Sequence, residues 1–216
     1  MKKLLIVTGP QGSGNHLFSR IFSTAEQVGG WKSLLDHYWI PSDEEPFADY
    51  WIHPEQLSLE HFNGPDYWLA NVSCPFYYDG VRHIPKILEM ARHSLRLGVE
   101  TTIAIICRDA TINREQQLRV RKECTTPIAL DYYQYLLSSE FPVHFISTES
   151  LFAHRHNYLR YLARILDFPI GVDHPDIFKF LDQDPNSKYV THVDQYWLDQ
   201  QVWNGIRPRD QRKTTS

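Results

Sequence analysis

A short apolar strand that empties into a glycine-rich turn and then a helix limits this chain more than any other feature. Residues 4–8 are Leu-Leu-Ile-Val-Thr, and the turn reads Gly9-Pro10-Gln11-Gly12-Ser13-Gly14-Asn15-His16. Four consecutive apolar residues closed by glycine predict a buried strand. Beyond the turn, Leu17, Phe18, Ile21, Phe22, Ala25 and Val28 recur at helical spacing, which predicts a helix over 15–28 stopped by Gly29 and Gly30. Three glycines between a strand and a helix let the backbone curl until successive N–H groups face inward. The partial positive charge of the helix start adds to them, so the segment suits an oxyanion.

The rest of the chain repeats the alternation. Strands are expected over 67–73, 101–107 and 143–147. Helices are expected over 84–97, 108–122, 127–138 and 151–166, with two more near 176–181 and 195–203. Strands separated by helical crossovers call for a parallel sheet covered on both faces. The expected fold is α/β: a three-layer α/β/α sandwich with a central parallel sheet, of P-loop type, as a single domain over 1–216. A long excursion at 31–63, with a short helix over 32–38, has the length of a binding loop or lid. Residues 205–216 carry Arg207, Arg209, Arg212 and Lys213 and read as a frayed basic tail.

Composition removes several classes. The net charge of −4 argues against a nucleic-acid partner. Cys74, Cys107 and Cys124 lack metal-ligand spacing and form no disulfide framework, which with the missing secretory leader reads as a cytoplasmic protein. No apolar run reaches membrane-spanning length. No His-x-x-x-His with nearby acids occurs, and His154 and His156 would face apart on a helix, so no metal is assigned.

The spacing from Gly9 to Gly14 is that of the first six positions of a P-loop. The next two should be Lys and Ser or Thr, and are Asn15 and His16. A triphosphate therefore loses its point charge and Mg²⁺ loses a hydroxyl ligand, which counts against an ordinary ATPase or GTPase. The backbone cradle needs neither residue. Its candidate anion-binding residues are Gly9, Gln11, Gly12, Ser13, Gly14, Asn15 and His16.

These residues resemble the sulfotransferase branch of P-loop proteins. Gly12-Ser13-Gly14-Asn15-His16-Leu17 is similar to that family's loop, with Ser13 and Gly14 matching and Gly12 standing where the family has a basic residue. The run Thr102 to Asp109 resembles the family's strand ending in arginine, so Arg108 would grip a 3′-phosphate with Gln116 in place of the usual serine eight residues on. Residues 143–170 resemble its later strand and long helix. The resemblance implies 3′-phosphoadenosine 5′-phosphosulfate as co-substrate, no metal, and a small-molecule or carbohydrate acceptor.

Sulfuryl transfer needs a base. The family's strand histidine is replaced here by Ser73. Carbohydrate-directed members draw a Glu or His from the region after the first helix, which offers His37, Glu44, Glu45, His53 and Glu55. His37 and His53 are preferred because imidazole titrates near neutrality. His16, in the first helical turn, is a third candidate, with the incoming anion as its counter-charge. A divergent nucleotide or nucleoside kinase and a non-catalytic nucleotide-binding module remain as alternatives. Trp31, Trp39, Tyr50 and Trp51 would line a pocket or form a satellite core, and oligomeric state is not legible.

Overall fold

A computed structural model describes residues 1–35, 41–182 and 184–186. The chain separates into a unit spanning Met1–Gln183 and a second spanning Asp184–Ser216; the first is described here. His37, Trp39, the expected helix at 195–203 and the basic tail at 205–216 lie outside the described residues.

Five parallel strands form the sheet in the order β2-β3-β1-β6-β7. They are β1 (Lys2–Pro10), β2 (Val28–Gly30), β3 (Tyr67–Cys74), β6 (Val99–Cys107) and β7 (Val143–Ser147). A separate hairpin pairs β4 (Phe76–Tyr78) with β5 (Val81–His83). The helices are α1 (Asn15–Phe22), α2 (Ile87–Arg96), α3 (Ala110–Arg121), α4 (Thr126–Leu137), α5 (Thr148–Ile165) and α6 (Pro175–Asp182).

Alternation along β1 divides the core. Leu4 and Ile6 face a layer containing Ile87, Met90, Tyr133 and Leu136 from α2 and α4. Leu5 and Val7 face a layer containing Phe18, Ile21, Leu159 and Ile177 from α1, α5 and α6. A strand with both faces covered must be apolar at consecutive positions, which is why β1 reads as an unbroken hydrophobic run. The three-layer α/β/α architecture is therefore as expected. Because all five strands run the same way, the ends of β1, β3, β6 and β7 that carry the site lie along one edge, with β1 between β3 and β6.

Three local expectations need correction. The first helix ends at Phe22 rather than 28, because the Thr24 hydroxyl donates to the Ile21 carbonyl at 2.7 Å and closes the last turn. Residues 28–30 then pair with β3 as an edge strand. At 32–38, the described part is only a 3₁₀ turn, Trp31–Leu34. The helix at 151–166 begins three residues earlier and carries a non-helical residue at Arg155 (φ 47°) between His154 and His156. The described part of the excursion, from residue 41, is no free loop either. Phe47, Trp51, Leu57 and Phe62 are buried against the α2 face of the sheet, through three 3₁₀ turns.

Candidate functional site

The carbonyls of the loop after β1 are braced from outside. Gln117, fully buried on α3, donates from Nε2 to the Gln11 carbonyl at 2.6 Å, and Asn113 Nδ2 approaches the same oxygen at 3.4 Å. Arg108 Nη1 donates to the Gly12 carbonyl at 2.6 Å. Thr148, the buried first residue of α5, donates from Oγ1 to the Ser13 carbonyl at 2.7 Å. Within a planar trans peptide the carbonyl and the following N–H point in opposite directions. Three carbonyls tied outward therefore turn the N–H groups of Gly12, Ser13 and Gly14 inward. Ser13 N–H closes the turn onto Pro10. No described residue accepts from the N–H groups of Gly12, Gly14, Asn15 or His16, and α1 has no side-chain cap.

Two glycines make this path possible. Gly14, at φ 111°, occupies the left-handed N-cap of α1. Gly9 is a close approach, since a Cβ there would lie 2.3 Å from Ser13 Oγ and 2.7 Å from Asn15 Oδ1. Those two side chains fill the floor of the cradle. Ser13 Oγ donates to Asn15 Oδ1 at 2.8 Å, and Asn15 Nδ2 donates to Ser73 Oγ at 2.9 Å. Asn15 thus ties the loop to the end of β3 where a P-loop lysine would reach a phosphate.

Arg108 and Gln116 come together beside Gly12, the guanidinium donating to the Gln116 carboxamide oxygen. Arg108 directly follows β6 and Gln116 sits on α3, whose N-cap Asp109 accepts from Ile112 N–H at 2.9 Å. The sequence missed Gln117 and Thr148 because neither belongs to a recognised spacing. Their only signal is position: Gln117 lies about two turns into the helix that follows β6, and Thr148 opens the helix that follows β7.

His16 lies beside a buried carboxylate. Its Nε2 is 3.0 Å from Glu45 Oε1, with the Glu45 side chain 4 % exposed and the His16 side chain 37 %. Glu45 Oε2 accepts from Trp31 Nε1 at 2.6 Å and from Asn71 Nδ2 at 2.7 Å. A carboxylate without water needs such donors. His16 therefore has a hydrogen-bond partner built into the fold. His16, Gln11, Ser73, Asp43, Tyr77 and Arg121 line a cleft of about 380 Å³ beside the loop. Arg121 is exposed as a residue, yet partial desolvation of its guanidinium pulls its pKa below the ordinary arginine value, against the opposing pull of Tyr77 and Glu123. His53 does not line this cleft; it is exposed and pairs with Glu55 at 3.5 Å. The structure thus gathers Gly9, Gln11, Gly12, Ser13, Gly14, Asn15, His16, Arg108 and Gln116 at one edge of the sheet and leaves His53 outside that group.

Fold and site together define an α/β/α protein of P-loop type whose cradle is made of main-chain amides. No family model matches the sequence, and no curated protein matches it. Among solved structures, a mouse sulfotransferase, SULT7A1 complexed with PAP, is similar at 11 % identity and TM-score 0.44, over 87 % of this chain. The chain spans 65 % of the length of that sulfotransferase. An unliganded sugar kinase from Janibacter sp. HTCC2649 is similar at 13 % identity and TM-score 0.38, over 80 % of this chain and 98 % of that one. Among the described residues, no helix is long and apolar enough to cross a membrane.

Proposed function

We propose that the chain is a sulfotransferase-like enzyme that moves a sulfuryl group from 3′-phosphoadenosine 5′-phosphosulfate to a hydroxyl or amine acceptor. The observation that carries this reading is the set of outward-tied carbonyls at Gln11, Gly12 and Ser13, which aims main-chain N–H groups at an oxyanion with no lysine among them. A phosphosulfate carries fewer negative charges than a bare triphosphate, which needs a metal and a lysine to offset them, so amides and a helix start suit it better. Asn15, bonded to Ser73, offers no cation for a γ-phosphate, which disfavours the kinase alternative.

In this reading Arg108 and Gln116 take the 3′-phosphate, and the amides of Gly12, Gly14 and Asn15 take the 5′-phosphosulfate. An acceptor hydroxyl in the adjoining cleft attacks sulfur. The new oxygen–sulfur bond forms as the bond from sulfur to the 5′-phosphate oxygen breaks, and its electron pair leaves on adenosine 3′,5′-bisphosphate. The hydroxyl proton passes to His16, whose imidazolium is steadied by Glu45.

Calorimetric titration with adenosine 3′,5′-bisphosphate tests the reading. Binding without Mg²⁺, lost in Arg108→Ala, is expected. Thermal stabilisation at a hundredfold excess over Kd would be about 2.7 kcal/mol. A requirement for Mg²⁺-ATP would move the assignment to a kinase, and binding without sulfate transfer would make the chain a nucleotide-binding module.

A further inference from the structure

The cleft beside the loop has a side that the transfer step leaves unused. Gln11, His16 and Ser73 line it where it meets the cradle. Tyr77 and Gly80 of the hairpin and Arg121 in the last turn of α3 line it as well. One helix thus serves loop and cleft together. Gln117, which braces the loop, and Arg121 are four residues apart and share a face of α3. That spacing sets Arg121 about 6 Å farther along the helix axis, past the cradle and at the cleft.

A cation in the last turn of a helix is favoured by the helix end alone. Arg121 differs from such a residue in its surroundings. Glu123, the nearest acid in sequence, pairs with Arg82. No described residue forms an ion pair or a hydrogen bond with Arg121, although its guanidinium is partly desolvated. A guanidinium has five N–H donors and no acceptor, so one drawn from water calls for an acceptor from a ligand. The Tyr77 phenol lies near it. Arg82 Nη2 donates to the Tyr77 hydroxyl at 3.0 Å, which leaves the phenol proton as one more donor. The hairpin is fixed against the start of the excursion, since Ser42 Oγ donates to the Tyr77 carbonyl at 2.6 Å.

We propose that Arg121 determines which acceptors this cleft takes: it holds the carboxylate of an alcohol or phenol whose hydroxyl meets His16. A carboxylate matches the planar fork through two parallel N–H groups, and the Tyr77 hydroxyl can reach the same group. Asp43 lines the cleft without pairing to Arg121, so a single negative charge held at the guanidinium is favoured over a polyanion. The acceptor role rests on the sulfuryl-transfer reading; the carboxylate site does not.

The test uses the whole chain and three phenols of one shape: 4-hydroxyphenylacetate, 4-hydroxyphenylacetamide and tyramine. In calorimetry without nucleotide, the acid should bind about tenfold more tightly than the amide, as one charge-assisted pair gives. Tyramine should bind no better than the amide. Arg121→Gln should bring the acid to the level of the amide, with adenosine 3′,5′-bisphosphate affinity unchanged. Arg119→Gln removes the same charge from a residue that does not line the cleft, and should keep the preference. In the transfer assay, Arg121→Gln should raise KM for the acid about tenfold and leave kcat within about twofold. Equal binding of acid and amide, tightest binding of tyramine, or loss of the preference in both variants overturns the proposal. So does a fall in kcat at unchanged KM, which would put Arg121 on the transferring group. An intact acid preference beside a failed nucleotide titration leaves the carboxylate site standing and removes the sulfuryl-transfer reading.

Discussion

Replacing Gln117 by leucine removes the brace behind the loop while keeping a side chain of similar bulk. Gln117 is fully buried, and its Oε1 accepts from Thr125 N–H at 2.7 Å while its Nε2 serves the Gln11 carbonyl at 2.6 Å and Asn113 Oδ1 at 2.8 Å. In the leucine variant Thr125 N–H is left without that acceptor, a loss of about 1–3 kcal/mol for a buried donor. The Gln11 carbonyl keeps only Asn113 at 3.4 Å, which adds about 1 kcal/mol. The apolar gain of leucine offsets part of this, so a net cost of about 1–3 kcal/mol is expected. At about 2–4 °C per kcal/mol for a unit of this size, Tm should fall by roughly 2–12 °C. Urea unfolding gives the free energy, and titration of the surviving folded protein with adenosine 3′,5′-bisphosphate gives the affinity. Both should fall, because the Gln11 carbonyl sets the direction of the Gly12 amide. A variant that loses stability but keeps native nucleotide affinity refutes the argument that this brace aims the amides, and a Tm within about 2 °C of native refutes the energetics.

Three further outcomes follow from other residues. In Gly9→Ala the new Cβ would lie 2.3 Å from Ser13 Oγ, 2.7 Å from Asn15 Oδ1 and 3.1 Å from Ile106 Cβ; a cost of about 1–3 kcal/mol and at least tenfold weaker nucleotide binding are expected by denaturation and calorimetry. Glu45→Gln keeps an oxygen for Trp31 and Asn71 but removes the charge beside His16, so transfer activity should fall about 10²–10⁴-fold with little change in Tm, whereas Glu45→Leu should cost about 3–5 kcal/mol. Burial pushes the Cys74 thiol up to about 12 from an ordinary 9.0. Above pH 9 the unfolded chain releases that proton and the folded chain retains it, so the unfolded state binds fewer protons and stability falls as pH rises, by up to about 1.4 kcal/mol per pH unit. Urea midpoints measured across this range should drop in the native chain and drop less in Cys74→Ala; identical pH profiles for the two would show that the thiol is not the source.

Residue order alone is enough for the parts governed by local chemistry. The apolar run of β1, the glycines after it and the helical spacing from Asn15 are enough to place a cradle at a strand end, because each depends on neighbours within one turn. The 143–147 strand and the 67–73 strand were legible for the same reason. One local signal was legible and missed: Asp79-Gly80, with φ of 48° and 73°, is the tight turn of the β4–β5 hairpin. What the tertiary structure alone decided is which distant groups meet the loop. His16 and Glu45 are separated by a strand and part of the excursion, and Gln117 and Thr148 reach the loop from helices more than a hundred residues away in sequence. Such meetings depend on how crossover helices pack on a twisted sheet and where an excursion buries its aromatic residues. Side-chain spacing along one chain carries no record of either.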